Sequence, residues 1–117
     1  MTKAKALAVH TIRICGNEKY FPKRFRWCFT SELVKSALAI NLNIEKANSI
    51  YLKGADEEAL TLRRKYQTIA LAETYAMTNL ISLAIELFGL SGEKAEYWVR
   101  MVKETRDLIR SWRKSEK

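Results

Sequence analysis

Residues that interrupt helices are scarce in this chain, which has one proline and four glycines among 117 residues. That content excludes a collagen-like or low-complexity protein. The breaks fall at Gly16 and Pro22, at Gly54, and at Gly89 and Gly92. Between them no stretch alternates apolar and polar residues with a period of two, and no hairpin dipeptide occurs. We therefore expect helices between these breaks.

Residues that carry chemistry are also scarce. His10 is the only histidine, and the two cysteines, Cys15 and Cys28, do not have the spacing of a zinc site. Glycine-rich phosphate loops, zinc-protease motifs and nucleophile elbows are missing. We predict a protein that is not an enzyme and holds no metal or cofactor, with both cysteines buried as free thiols in a reducing compartment. Glu73, in an apolar run, is expected to pair with a buried arginine or lysine.

Long uninterrupted apolar runs are missing as well. The N-terminal run is broken by His10 and Arg13, which argues against a signal peptide. The most apolar stretch, AMTNLISLAIELFGL, contains Asn79 and Glu86 and is shorter than the ~20 apolar residues of a membrane span. The sequence thus favours a cytoplasmic protein with no membrane partner.

Apolar residues recur at steps of three and four in four segments, which predicts four helices. The first covers about residues 3–18, the second runs from near Pro22 to about Tyr51, the third extends from Asp56 to Leu87 or Phe88, and the fourth begins at Ser91 and ends in a frayed polar tail. Because the connections are short, the fold class is predicted to be all-α: an up-down-up-down four-helix bundle forming a single domain over residues 1–117. The third helix is apolar on most sides from Ile69 onward, which indicates more than one covering neighbour or a second subunit.

Acidic residues are too few to balance the basic ones, and the formal net charge is +8. Residues 1–30 carry a net charge of +6 and residues 91–117 a net charge of +3. Such an imbalance favours a polyanionic partner, RNA above all. The binding residues predicted first are Lys19, Lys23, Arg24, Arg26, Arg63, Arg64 and Lys65. Those predicted second are Arg13, Arg110 and Arg113.

The segment YFPKRFRWCF, residues 20–29, combines aromatic and basic side chains. Phe21, Phe25 and Phe29 are four residues apart, so one helical face carries all three, and Pro22 suits a first helical turn. Core packing is the favoured role of these phenylalanines, and a base-stacking platform is the alternative. The neighbouring basic side chains and Trp27 are expected to point mostly away from that face.

Several segments resemble one family: AVHTIRI, FPKRFRWCFTSELVKSALAINLNIEKAN, RRKYQ and EYWVRMVKETRDLIRSWRKS. They are similar to the accessory variability determinant (Avd) of diversity-generating retroelements, within the four-helix-bundle group that includes proteins encoded in 23S rRNA intervening sequences. The resemblance covers nearly the whole chain. It implies a non-catalytic, basic, barrel-like homopentamer that binds a reverse transcriptase and its template RNA, possibly also DNA, during adenine-mutagenic cDNA synthesis.

Two other interpretations stay open on the sequence. A bundle of the intervening-sequence type would share the fold and have another RNA or protein partner. A helical adaptor or antitoxin-like regulator would instead use its basic face to bind an acidic protein.

Overall fold

The computed structural model describes residues 2–116, and within that range the protein is all-helical, with four α-helices and no strand. The helices are α1 (Thr2–Cys15), α2 (Ser31–Asn48), α3 (Glu57–Phe88) and α4 (Gly92–Ser115). A short 3₁₀-helix, Lys23–Phe25, and a π-helix, Arg26–Thr30, precede α2. The all-α prediction is confirmed for this range.

The four helices surround one apolar core. Helices α1 and α3 each contact both α2 and α4. The predicted stripes of α1 and α4 are buried as expected, with Leu7 and Thr11 on α1 and Trp98 and Val102 on α4 fully enclosed. The indole Nε1 of Trp98 donates a hydrogen bond of 3.1 Å to the hydroxyl of Thr11, so the polar atom of the largest core side chain is satisfied.

Helix α3 has the ends that its sequence predicts. Asp56 is the N-cap, and its carboxylate accepts a 2.8 Å hydrogen bond from the backbone N–H of Ala59. Gly89 ends the helix in the left-handed conformation, with φ 63°, where a residue without a Cβ is favoured. With 32 residues at 1.5 Å each, α3 is about 48 Å long. It therefore extends along nearly the whole 50 Å long axis of the molecule.

The segment before α2 differs from the prediction of one continuous helix from Pro22 to Tyr51. Its 3₁₀ and π turns let Phe21, Phe25 and Phe29 all pack around Phe88, with ring centroids 5.4, 5.3 and 5.7 Å from that ring. The core-packing role is confirmed for Phe21, which is buried, and for Phe29, which packs against the core, whereas Phe25 contacts Phe88 at the edge of the core. No single α-helical face carries the three rings. At the other end α2 stops at Asn48, and Tyr51 is 79% exposed and outside the core.

The cysteine prediction is right for one residue and wrong for the other. Both thiols are free; Cys15 is buried and Cys28 is exposed. Burial raises the pKa of the Cys15 thiol to about 12, because the thiolate would lose its hydration.

Glu73 is partly buried, and its observed partner is a serine, where an arginine or lysine was expected. The hydroxyl of Ser36 on α2 lies 2.9 Å from Glu73 Oε1 and 3.2 Å from its backbone carbonyl oxygen. This bond joins α2 to α3 through a group that carries no positive charge.

Helix α3 is long and apolar enough, by length and composition, to cross a membrane, contrary to the sequence-based expectation. Only 28% of the most apolar 18-residue stretch of this helix is buried. Core helices of soluble proteins can have the same length and apolar composition. Much apolar surface of α3 is therefore uncovered in a single chain.

Candidate nucleic-acid interface

Arg63, one of the predicted binding residues, lies in the interior and is only 7% exposed. Its guanidinium donates to both carboxylate oxygens of Glu116, with N–O distances of 3.0 and 2.6 Å. It also donates to the carbonyl oxygen of Ala47, at 3.0 Å, and to that of Ile50. All these acceptors belong to the protein, so the prediction of Arg63 as a surface contact is replaced by a role in joining α2, α3 and the C-terminal segment.

The C-terminal segment is held in place through Glu116, which corrects the expectation of a frayed tail. Gln67 on α3 donates to Glu116 Oε1 at 3.1 Å. The hydrogen bonds from Arg63 lower the pKa of the Glu116 carboxyl, since they stabilise its charged form. The Arg63 guanidinium also lies 5.2 Å from the ring centroid of Trp112 on α4. These contacts fix the end of α4 against the start of α3.

Next to this buried pair, an open cleft between α3 and α4 is lined mainly by cations. Its volume is 260 Å³, and its lining residues are Arg64, Gln67, Arg110, Arg113 and Lys114. Among residues 2–116 no carboxylate lines this cleft. Within residues 2–116 none of its four cations lies within 4.0 Å of an acidic side chain. We call these residues the basic cleft.

The helical repeat explains why adjacent arginines have different environments. Successive residues on an α-helix are about 100° apart, so Arg63 faces the interior while Arg64 faces outward. Arg110 and Arg113 are one turn apart on α4 and face the same side. The sequence predicted Arg64, Arg110 and Arg113, and the structure brings them together. Lys114 was missed because the terminal segment was expected to fray.

The ring of Tyr75 packs against two arginine side chains beside the basic cleft. The guanidinium carbons of Arg106 and Arg110 lie 4.0 and 5.4 Å from its ring centroid. Arg106 is 9% exposed and donates to the hydroxyls of Thr74 and Thr78 and to the carbonyl oxygen of Thr74. It therefore anchors α4 to α3, while the exposed Arg110 is left for a ligand.

The other predicted residues are separated from the basic cleft. Five of them lie towards the other end of the bundle, the end that contains Phe88. They are Arg13, Lys19, Lys23, Arg24 and Arg26. Residues 64 and 88 of α3 are about 36 Å apart along the helix. Arg26 is 3.8 Å from the carboxylate of Glu18. The predicted residues thus form two regions.

Lys65 also lies apart from the basic cleft. It lines a shallow depression together with Asp56, Glu57, Glu58, Thr61 and Leu62. Three carboxylates in that depression oppose the binding of an anion. The three adjacent basic residues therefore have different environments: Arg63 is buried, Arg64 lines the basic cleft, and Lys65 lies among carboxylates.

His10 and Arg13 line a second cleft, of 570 Å³, between the end of α1 and the start of α4. Burial and the nearby Lys94 ammonium lower the pKa of His10, since both disfavour the imidazolium. The His10 ring packs edge-on against Tyr97 and Trp98, with centroids 5.2 and 6.3 Å away. His10 therefore contributes to packing at this cleft.

Comparisons with known proteins identify no family. Searches of family models, of curated proteins and of solved structures give no match to this chain. In the part of the chain that the structure describes, no three histidine, cysteine or acidic side chains form a group able to hold a metal ion.

Proposed function

We propose that this protein is a non-catalytic, cytoplasmic RNA-binding subunit of the Avd type, which docks a reverse transcriptase and its template RNA. The observation that carries the proposal is the basic cleft, where four cations converge and no carboxylate of the described residues lines the site. The sequence resemblance supports the choice of partner. The all-helical fold is compatible with it.

The chemistry of the cleft suits a phosphate backbone. Arginine presents a planar fork of N–H donors that matches two phosphate oxygens, and three of the four cations are arginines. Gln67 adds an amide at the base of the cleft, although its Nε2 is already bonded to Glu116. The cleft is open and its shape is not that of a closed substrate pocket. It therefore fits a polymer passing across it better than a small molecule.

The proposal includes an up-down-up-down arrangement of the four helices. Two contacts support antiparallel packing of α1 and α4: Lys3 pairs with Glu104, whereas Thr11, further along α1, pairs with the earlier Trp98. Arg63 near the start of α3 likewise meets Glu116 just beyond the end of α4.

Self-association is also part of the proposal. Helix α3 exposes large apolar side chains over much of its length, and a stable monomer would normally cover such a surface. These residues are Leu60, Leu62, Tyr75, Leu83, Ile85 and Leu87. Light scattering on the purified protein tests this point: a mass near five protomers is expected, and a monomer would contradict it.

RNA affinity measured against salt concentration tests the main proposal. If the four cations of the cleft each neutralise one phosphate of a single strand, log K should fall with log salt at a slope of about −3. Affinity would then drop about 50-fold between 50 and 200 mM salt. A flat response would contradict RNA binding by phosphate contacts.

A pair of matched variants assigns the binding to the cleft. Arg64→Ala combined with Arg113→Ala should weaken RNA binding and reduce the salt slope by about 1.4, since each contact with a single strand contributes about 0.7. Arg100→Ala is the control, because Arg100 is an exposed arginine on α4 that lines clefts with Glu96, Glu104 and Asp107. An equal loss of binding free energy per charge removed in the two proteins would show a diffuse charge effect and remove the cleft from the proposal.

Co-purification with a reverse transcriptase tests the protein partner separately. The Avd-type proposal expects a complex that survives nuclease treatment, since it includes a protein–protein contact. RNA binding without any polymerase contact would favour the intervening-sequence type of bundle.

A further inference from the structure

Among residues 2–116, Trp27 is the most exposed large apolar side chain, with 88% of its surface accessible. The other tryptophans differ: Trp98 is fully buried, and Trp112 is partly buried against the core. An indole left in water costs free energy that packing would recover, so this exposure calls for an explanation.

The local backbone holds Trp27 away from the core. Phe25 and Phe29 both pack on Phe88, and Trp27 lies between them in sequence, within the π-helix. π-Helical turns are rare and are frequently found at functional sites. The three phenylalanine contacts fix the segment from the inside, so the indole is presented on a rigid support.

The surroundings of Trp27 are cationic. Lys23 and Arg24 are exposed, and among residues 2–116 neither lies within 4.0 Å of a carboxylate. The Arg24 guanidinium lies 5.0 Å from the ring centroid of Phe25. Arg26 has only a 3.8 Å contact with Glu18. Three basic residues therefore lie within the four positions that precede Trp27, and two of them are exposed without an acidic partner among residues 2–116.

No other exposed large apolar side chain lies within ten residues of Trp27 in the sequence. The nearest exposed large apolar side chains in the sequence are Ile12 and Leu38, which belong to α1 and α2. A membrane-inserting face needs several apolar side chains together, and a protein-binding hot spot is normally ringed by a packed interface. A single flat ring among cations matches the combination of one nucleobase and its flanking phosphates.

We propose that Trp27 stacks on an unpaired base of single-stranded RNA, while Lys23 and Arg24 contact the adjacent phosphates. This inference rests on the proposed RNA-binding function and adds a second contact, separate from the basic cleft, that distinguishes single-stranded from double-stranded RNA. In a duplex the bases are already stacked on one another, so the indole has no free face to cover.

Binding of a short oligouridylate and of a duplex RNA of equal length tests the proposal. Trp27→Ala should lose about tenfold in affinity for the single strand and little for the duplex, whereas Trp27→Phe should stay close to wild type. Tyr51→Ala is the matched control, because Tyr51 is an aromatic side chain that is 79% exposed elsewhere. The indole fluorescence of the wild type should be quenched by the oligouridylate, and this quenching should be absent in Trp27→Phe.

Each contrary outcome has a distinct meaning. Single-strand binding by the wild type that Trp27→Ala leaves unchanged would overturn the stacking role and leave the proposed function intact. Failure of the wild type to bind either RNA would overturn the proposed function and this inference with it. A loss in Trp27→Ala that is equal for the single strand and the duplex would also overturn stacking. Binding to anionic lipid vesicles is measured on the same proteins. If Trp27→Ala lost binding to the vesicles and kept its binding to both RNAs, Trp27 would be assigned to a membrane surface instead.

Discussion

Two buried arginines connect α3 to its neighbours in different ways. Arg63 and Arg106 are 7% and 9% exposed, so both side chains are largely shielded from water. Arg63 is neutralised by Glu116, and its remaining donors reach backbone carbonyls at the end of α2 and beyond. Arg106 has no carboxylate partner within the described range and donates to threonine oxygens under the ring of Tyr75.

The two arginines differ in whether their hydrogen-bond acceptors would have other partners if the guanidinium were removed. Without Arg63, the Glu116 carboxylate would lose its counter-ion at a place where its side chain is only 9% exposed. The acceptors of Arg106 have other partners: the Thr74 hydroxyl donates to the carbonyl of Leu71, and the Thr78 hydroxyl donates to that of Thr74. An unsatisfied buried group is costly, whereas a polar group with another partner is not. Similar burial thus implies different contributions to stability.

The largest effect is expected for Arg63→Met, which keeps the apolar stem and removes the guanidinium. We expect a loss of about 2–4 kcal/mol in the free energy of unfolding, since the Glu116 carboxylate loses its counter-ion and keeps only the hydrogen bond from Gln67, and the Ile50 carbonyl loses its Arg63 donor. Urea denaturation followed by circular dichroism measures this loss. A change below about 1 kcal/mol would show that the C-terminal segment moves into water at little cost.

Glu116→Gln should have the next largest effect, about 1 kcal/mol at neutral pH, because the amide keeps one hydrogen bond and loses the charge. The pKa of Glu116 is lowered in the folded state from its ordinary 4.5. Its contribution is therefore fully present above pH 4.5 and disappears as the pH falls through the lowered folded-state pKa. The stability difference between the two proteins should shrink on acidification. A difference that is independent of pH would contradict the role of the charge.

Arg106→Met should cost less than about 1 kcal/mol, because its threonine partners remain bonded and the thioether can pack on Tyr75. The same urea titration applies, with Arg63→Met measured alongside. A loss equal to that of Arg63→Met would erase the distinction between the two sites.

The smallest effect is expected for Arg64→Ala, within about 0.5 kcal/mol of wild type, since Arg64 is exposed and makes no ion pair among residues 2–116. Set beside Arg63→Met, it compares adjacent residues on one helix. A large destabilisation by Arg64→Ala would mean that the basic cleft is part of the structural framework, and its availability to RNA would be in doubt.

The elements with local causes could be predicted from the amino-acid sequence. Apolar steps of three and four give α1 and α4 their buried faces, and Asp56 and Gly89 mark the ends of α3, because helix periodicity and capping depend on neighbours within one or two turns. The all-helical class and the excess of positive charge follow from the same information. Of the candidate site, Arg64, Arg110 and Arg113 could be named in advance.

The environment of each charged side chain depends on long-range contacts in the folded chain. Arg63 and Arg64 are adjacent and chemically identical, and their environments differ because Glu116, Ala47 and Ile50, from distant parts of the chain, surround one of them and not the other. The exposure of Trp27 depends in the same way on Phe88, whose ring draws Phe25 and Phe29 inward. Contacts between residues far apart in sequence have no local signature, so composition and periodicity could not assign these roles.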